Sequence, residues 1–426
     1  MKKILSLALA TLMLVSVLTM ASCGNDTGDV DITVGAVYIG SQTEESGYTA
    51  AHANGIKEAI KQLEAEGYKV KLLVQDNVRE EDGAVTSAID TLAGQGSDII
   101  IGISFGYLNA FNEAAGKEEY KDIVFSHATG YLSNDKNFNN YFGRIYQSRY
   151  LSGIAAALKA KEVGPADDGK YHLGYVSAYG TEYAETCSGI NGFTLGAQSV
   201  LGADVTVYVK TINTWGDPAL EKQAAEALIN TYKCTVITQH CDSAQPQIAA
   251  QNGGVFGCGY NSDMTKDAPN AHLIAPIWHW DVYYKLAIET AMQDKLAGTP
   301  TKNFMSKVGI YYGGLKEGFV DISAFTANCT SDTEAKVNAV RTMIESGEWD
   351  VFSNVKLSFD ESGNVVKTTA PLKTNGGIVV ISEDNTTYSV VADGAASTVG
   401  DASAVDGIIK GSMNYFVEGI IDVTNG

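Results

Sequence analysis

The chain has 426 residues, 45% of them hydrophobic, which exceeds one small domain and is enough to bury two sizeable cores. Its formal net charge of -20 gives a surface that repels phosphate backbones, so polymeric nucleic acid is not an expected partner. The six cysteines include no CxxC pair, which argues against a metal finger and a disulfide framework.

The chain opens with Lys2 and Lys3, an uncharged, mostly apolar run over 4–20, and the small residues Ala21 and Ser22 before Cys23. This is the pattern of an export signal rather than a membrane span. Residues 1–22 are expected to be removed, leaving Cys23 first in the mature chain and acceptor of a lipid anchor, although Met20 stands where Leu is preferred. Residues 1–22 hold two lysines and no acids, so their loss takes the charge from -20 to -22. No second apolar run approaches the roughly 20 residues that cross a bilayer, so membrane attachment rests on Cys23. The remainder is expected to work outside the cytoplasm, after a tether over 23–30.

From residue 31 apolar runs alternate with stretches of helical period. Strands are predicted at 32–39, 70–75, 98–104 and 123–127, with helices at 50–66, 84–94 and 108–119 between them. A helix at 146–161 then leaves this first lobe. The pattern restarts with strands at 172–178, 205–211, 234–239 and 255–260, separated by helices reaching about 200 and at 218–232 and 244–251. Later strands at 272–276 and 319–323 require the chain to cross between lobes again. The Thr-, Gly- and Asn-rich tail over 355–394 predicts short strands and turns, and 404–421 a final amphipathic helix. The expected class is α/β, with two three-layer lobes and parallel sheets joined by hinge crossovers. Lobe 1 takes 31–147 plus 272–305, and lobe 2 takes 148–271 plus 306–426. Cys187, Cys234, Cys241, Cys258 and Cys329 are an odd five beside Cys23. Cys234 and Cys258 lie in apolar surroundings and read as small core residues, with a bridge between them as the alternative.

Ligands of paired α/β lobes bind beyond the carboxyl ends of the strands. The loops there offer aromatic faces at Tyr48, Phe105, Tyr107, Tyr131, Tyr179, Trp215 and Tyr260, and polar ends at His127, Glu185, His240, Asp242 and Asp263. Flat faces with a few directional polar groups suit a flat heteroaromatic ligand. Each residue has a structural alternative: the aromatics as lobe-core caps, His127 as a core histidine, Asp263 as a turn cap and Glu185 as a first-turn acid. His240, Cys241 and Asp242 look like metal ligands, but consecutive residues at a strand end point to opposite sides, so no metal or cofactor is expected. Gly102-Ile103-Ser104-Phe105-Gly106 matches the GxSxG nucleophile elbow, which makes a hydrolase the rival of a different class. Its alternative is a turn of small residues.

The segments VGAVYIG with SGYTAAHANGIKEA, GSDIIIGISFGYLNAFNEAA, VFSHATGYLS, NNYFGRIYQSRYLSGIAAA, NTWGDPALEKQAAEALI, VITQHCDS, GYNSDM and YYGGLKEGFVDISAF occur in this order. Through them the chain resembles the basic membrane protein family of substrate-binding lipoproteins. The resemblance implies a fold like the type I periplasmic binding proteins, no enzymatic activity, and an ABC permease with its ATPase as partners of a monomeric receptor. Better-known members bind purine nucleosides, whereas the branch carrying HATGY is associated with free purine bases. It places Tyr48 and Trp215 at the two aromatic positions that sandwich the base. Trp280 falls near the position of a ribose-gripping Lys, while Asp263 matches a ribose-side acid. Glu185 matches a pocket acid, with Ser188 where an Arg is expected. The expected ligand is therefore a purine base, with a purine nucleoside as the alternative, and a nucleoside-acting enzyme or a sensory surface lipoprotein without a transport role as the readings of other classes.

Overall fold

The computed structural model describes residues 30–44, 47–381, 388–391 and 413–425. The predicted signal, Cys23 and residues 404–412 of the predicted final helix lie outside the described residues. Stretches led by Val and Ile form β1 (Ile32–Val37), β2 (Val70–Gln75), β3 (Ile99–Gly102) and β4 (Val124–Ala128), and β5 (Phe138–Gly143) follows them. Strands β6 (Tyr171–Ser177), β7 (Val205–Thr211), β8 (Val236–His240) and β9 (Phe256–Cys258) build the second lobe. After them come β10 (Pro276–Trp278), β11 (Tyr311–Gly313) and β12 (Val320–Ile322), then β13 (Val355–Phe359), β14 (Val365–Thr369), β15 (Lys373–Thr374), β16 (Gly377–Ile381), β17 (Tyr388–Val391) and β18 (Ile420–Asp422).

The first sheet runs β11-β5-β4-β3-β1-β2 and the second β18-β7-β6-β8-β9, with every pairing parallel. Alternate side chains feed separate layers. Val34, Ala36, Ile99 and Ile101 pack with Ala53, Ile56 and Leu63 of the Gly47–Ala65 helix. Val37, Ile100 and Phe125 pack instead with Val85, Ile89 and Phe111 from the helices Asp82–Gly94 and Leu108–Ala115. In the second lobe Leu173, Val207 and Val209 face Ile190 and Phe193, while Val176 and Ile237 face Leu228 and Ala250. Both lobes are thus three layers deep, covered on both faces as near-continuous apolar strands require.

The chain crosses three times. The Ile145–Val163 helix leads out of the first lobe, with Ile145 to Ala160 all buried. It lies against the Ala184–Leu201 helix so closely that an added Cβ on Gly153, Gly192 or Gly196 would stand 2.1, 2.7 or 2.0 Å from a backbone carbonyl oxygen of the facing helix. Strands β10 and β12 then pair antiparallel as a two-stranded ribbon on the return paths. Between them the Trp280–Leu296 helix packs on Gly47–Ala65, and β11 joins β5 at the edge of the first sheet, beyond residue 305 where the sequence ends that lobe's share.

Two differences from expectation have physical causes. Within 404–421, Ile420 and Ile421 are strand rather than helix, because β-branched residues suit the open parallel edge of β7, where Val207 N–H donates to Gly419 O at 2.9 Å. Strand β5 was not expected from FNNYFG, since asparagine disfavours strands. Asn139 is satisfied there by donating to Gly309 O at 2.6 Å and to Tyr283 Oη at 3.0 Å.

Candidate functional site

Four of the non-glycine residues with positive φ stand just beyond the carboxyl ends of sheet strands: Asn77 after β2, Thr129 after β4, Asn213 after β7 and Asn261 after β9. Asparagine tolerates that region, whereas Thr129 is β-branched and strained at φ 61. Held strain of this kind gathers at loops fixed for a purpose.

Tyr48 lies in the first turn of Gly47–Ala65. Its hydroxyl donates to Ile103 O at 2.5 Å, and its ring meets His52 edge-on at 4.4 Å. Burial raises its phenol well above the ordinary value, and Glu185 and Asp242 of the second lobe push the same way. The two lobes approach each other here, since a carbon added at Gly47 would stand 4.0 Å from Asp242 O. His52 stacks on Trp280 at 3.9 Å, and Trp280 stacks on Trp278 at 4.6 Å. Trp278 Nε1–H donates to Tyr260 Oη at 3.3 Å, carrying this aromatic wall into the second lobe.

The Trp215 loop is fixed from below. Asp217 accepts from Ala219 N and Leu220 N at 3.0 Å and caps the Pro218–Asn230 helix, with Pro218 opening it. Glu221, fully buried, accepts from Asp217 N at 3.2 Å and from the Ser243 amide and hydroxyl, tying this loop to 240–243. Asp242 N–H donates to Trp215 O at 2.9 Å. The Trp215 ring meets Tyr179 at 5.4 Å and His240 at 6.0 Å. Asp242 thus links the two stacking candidates, bonded to one and acting electrostatically on the other.

His240, at the end of β8, has Nε2 3.3 Å from Glu185 Oε1, and its ring meets Tyr260 edge-on at 4.6 Å. Burial, then the Arg149 charge, holds it well below the usual histidine range, so it is neutral. Burial pushes the Glu185 carboxyl up to about 8 against the pull of Arg149, and burial with Glu221 pushes Asp242 up to about 7, although Asn261 donates to it at 3.3 Å. At neutral pH Glu185 holds a proton and serves as a donor. The site offers directional polar groups of low net charge between aromatic faces.

The other sequence candidates lie elsewhere or do other work. Phe105 is 50% exposed beside Tyr131 and forms a rim. His127 is buried against Phe111, is pushed down to about 4 by burial, and donates Nε2–H to Ser104 O at 2.8 Å, supporting the loop above it. Ser104 gives its hydroxyl to Glu80 and not to a histidine, so the GxSxG match makes a turn rather than a Ser–His pair. Tyr107 is a core residue with its hydroxyl on Val78 O. Asp263 accepts from Thr265 N at 2.8 Å within its own turn. Trp280 stands at the start of a helix, 2% exposed, packed where Gly55 has no side chain. The cysteines Cys187, Cys234, Cys241, Cys258 and Cys329 are free, and no group of three or more metal-ligating side chains occurs among the described residues. Nor is any helix among them long and apolar enough to cross a membrane.

Sequence reasoning missed His52, Glu221 and Arg149. An Arg within an otherwise Ala- and Leu-rich helix was the legible signal for the last: Arg149 is fully buried, donates Nη1–H to Gln239 O, and lies 4.1 Å over the Tyr260 ring.

Residues 32–352 match the family described as ABC transporter substrate-binding protein, PnrA-like. A purine-binding protein of Brucella abortus is 36% identical over 322 residues, covering 76% of this chain and 83% of its own. A putative ABC transporter glucose-binding protein of Haloferax volcanii is 30% identical over 345 residues, covering 78% and 79%. The crystal structure of an ABC transporter solute-binding protein from Aeropyrum pernix superposes with a TM-score of 0.58 at 19% identity, covering 78% of this chain and 94% of that one, a likeness of fold.

Proposed function

The chain belongs to the family of PnrA-like ABC transporter substrate-binding proteins, and from that premise we propose that it captures a purine base between its lobes and delivers it to a membrane permease driven by an ATPase. What supports the proposal is 36% identity to a purine-binding protein, together with the approach of the Tyr48 turn to the Trp215 loop at Asp242, whose amide donates to Trp215 O and whose carbonyl oxygen would stand 4.0 Å from a carbon added at Gly47. Stacking on an aromatic contributes about 1–3 kcal/mol per base, so two rings supply a large part of a micromolar affinity, about -8.2 kcal/mol. Protonated Glu185, neutral His240 and Asp242 give the ring edge its donors and acceptors. A base is favoured over a nucleoside because Asp263 spends its carboxylate on its own turn and Trp280 supplies no cation for ribose.

In this reading the receptor is a monomer, exported and held at the membrane through lipidated Cys23, and ligand binding favours the closed lobes. It carries out no chemistry itself. The glucose-binding relative supplies the second reading, a sugar ligand, which aromatic faces also accommodate. A thermal-shift screen of the mature chain against hypoxanthine, adenine, inosine and glucose, followed by calorimetry on the hits, separates them. Purines are expected to raise the melting temperature, since a ligand bound only by the folded chain at 100 times its Kd adds about 2.7 kcal/mol. A shift with glucose and none with any purine would overturn the proposal.

A further inference from the structure

The guanidinium of Arg149 uses Nη1 on the Gln239 carbonyl and one face on the Tyr260 ring. Its Nε and Nη2 have no hydrogen-bond partner, although the side chain is fully buried. Those two nitrogens form one edge of the planar fork, with their hydrogens pointing the same way, so what stands open is a ready-made pair of parallel donors. Leaving such a pair buried and unanswered is costly. Tyr260 in turn meets His240 at 4.6 Å, and the groups that feel the Arg149 charge include Glu185, His240 and Tyr260 at the interlobe site as well as Tyr175, Cys241 and Cys258 in the core beside it. Glu185 does not answer the open edge by hydrogen bonding, since its Oε1 faces His240 Nε2 at 3.3 Å.

Resting on the purine reading above, we propose that Arg149 is the residue that sets specificity, selecting a 6-oxopurine over a 6-aminopurine through the paired acceptors O6 and N7. Arginine has five donors and no acceptor. An oxopurine presents two adjacent acceptors on this edge and meets the fork bidentately, whereas adenine presents N7 beside an amino group that is itself a donor. Adenine in the same pose sets donor against donor and loses one of the two bonds.

The test is calorimetry on the mature chain at pH 7 with hypoxanthine, adenine and 7-deazahypoxanthine, which keeps O6 and lacks the N7 acceptor. Hypoxanthine is expected to bind about tenfold or more tighter than either of the others, the discrimination typical of a bidentate pair. Arg149→Lys keeps the charge and loses the fork, and is expected to bring the three affinities within about threefold of one another. The comparison of ligands on the unaltered chain stands even where the buried substitution fails to fold. Adenine binding as tightly as hypoxanthine, or a 7-deaza analogue binding undiminished, overturns the role of Arg149 and leaves the purine reading intact. A folded chain that binds none of the three overturns both.

Discussion

Tyr48 and Trp215 belong to different lobes, so in the proposed sandwich truncating either ring would remove one side of the stacked base. Tyr48→Ala and Trp215→Ala are each expected to weaken hypoxanthine binding about tenfold or more by calorimetry. Tyr48→Phe keeps the ring and loses only the bond to Ile103 O; its affinity should stay within about threefold, and a full loss there would point to the hydroxyl instead. Glu185 and Asp242 give a second, pH-dependent signature. Their folded-state values, about 8 and about 7, are raised above the usual carboxyl range, so between pH 4 and 8 or so the folded chain holds protons that the unfolded chain has released. Stability contributed this way is complete at low pH and is lost as pH rises, by up to about 1.4 kcal/mol per pH unit for each group. Buried neutral His127, His240 and His272 act in the opposite sense, but only below about pH 6.5, where unfolded histidine takes up a proton. The melting temperature is therefore expected to decline from pH 6.5 to 8, and Glu185→Gln to flatten that decline. These residues were legible as strand-end polar groups in aromatic loops. Of their partners, Arg149 stood out as a charge in an apolar helix, whereas Glu221 did not, because its helix carries charges on several faces and gives no sign of which one meets the cleft.

The paired helices Ile145–Val163 and Ala184–Leu201 hold Arg149 and Glu185 in place, and their close approach depends on absent side chains. A methyl on Gly196 would come 2.0 Å from Tyr150 O, a contact that backbone cannot yield without separating the helices. Gly196→Ala is expected to destabilise the chain by about 2 kcal/mol or more in urea unfolding, despite the better helix propensity of alanine. Gly83→Ala is the control: it also lies in a helix, with nothing within 4 Å of the added carbon, and is expected to be neutral or mildly stabilising. Equal effects of the two substitutions would mean that helix approach is not what these glycines serve. Elements with strong periodicity, such as β2 and β7, were readable to the residue. The helix from Trp280 to Leu296 was passed over although Asp281, Lys285, Glu289 and Gln293 recur every fourth residue as its polar stripe; its aromatic start, with Trp280, Tyr283 and Tyr284 all buried, drew the reading toward a ligand site instead.

Across both lobes, the approach of Gly47 to Asp242 O, 4.0 Å from an added carbon, and the Trp278–Tyr260 bond bring the two halves together. Small-angle scattering of the mature chain is expected to give a smaller radius of gyration with saturating hypoxanthine than without it, because a ligand touching both lobes favours the state in which they meet. An unchanged radius would separate binding from closure. The division into two lobes was visible in the repeated strand and helix order, yet the share of late segments was not, because a three-residue strand such as β11 carries too little pattern to say which sheet it joins. The same holds for β18, and its placement sets an order of assembly. Thr211 at the end of β7 meets Thr424 just after β18 across 213 positions of sequence, so the flank of the second sheet stays bare until a distant stretch of chain has arrived. Loop closure over such a span is slow, and an intermediate with that flank uncovered is a template on which other copies can add strands. Fragments ending before residue 413 should accordingly self-associate, while the first lobe, whose central strands follow one another closely, matures ahead of its partner.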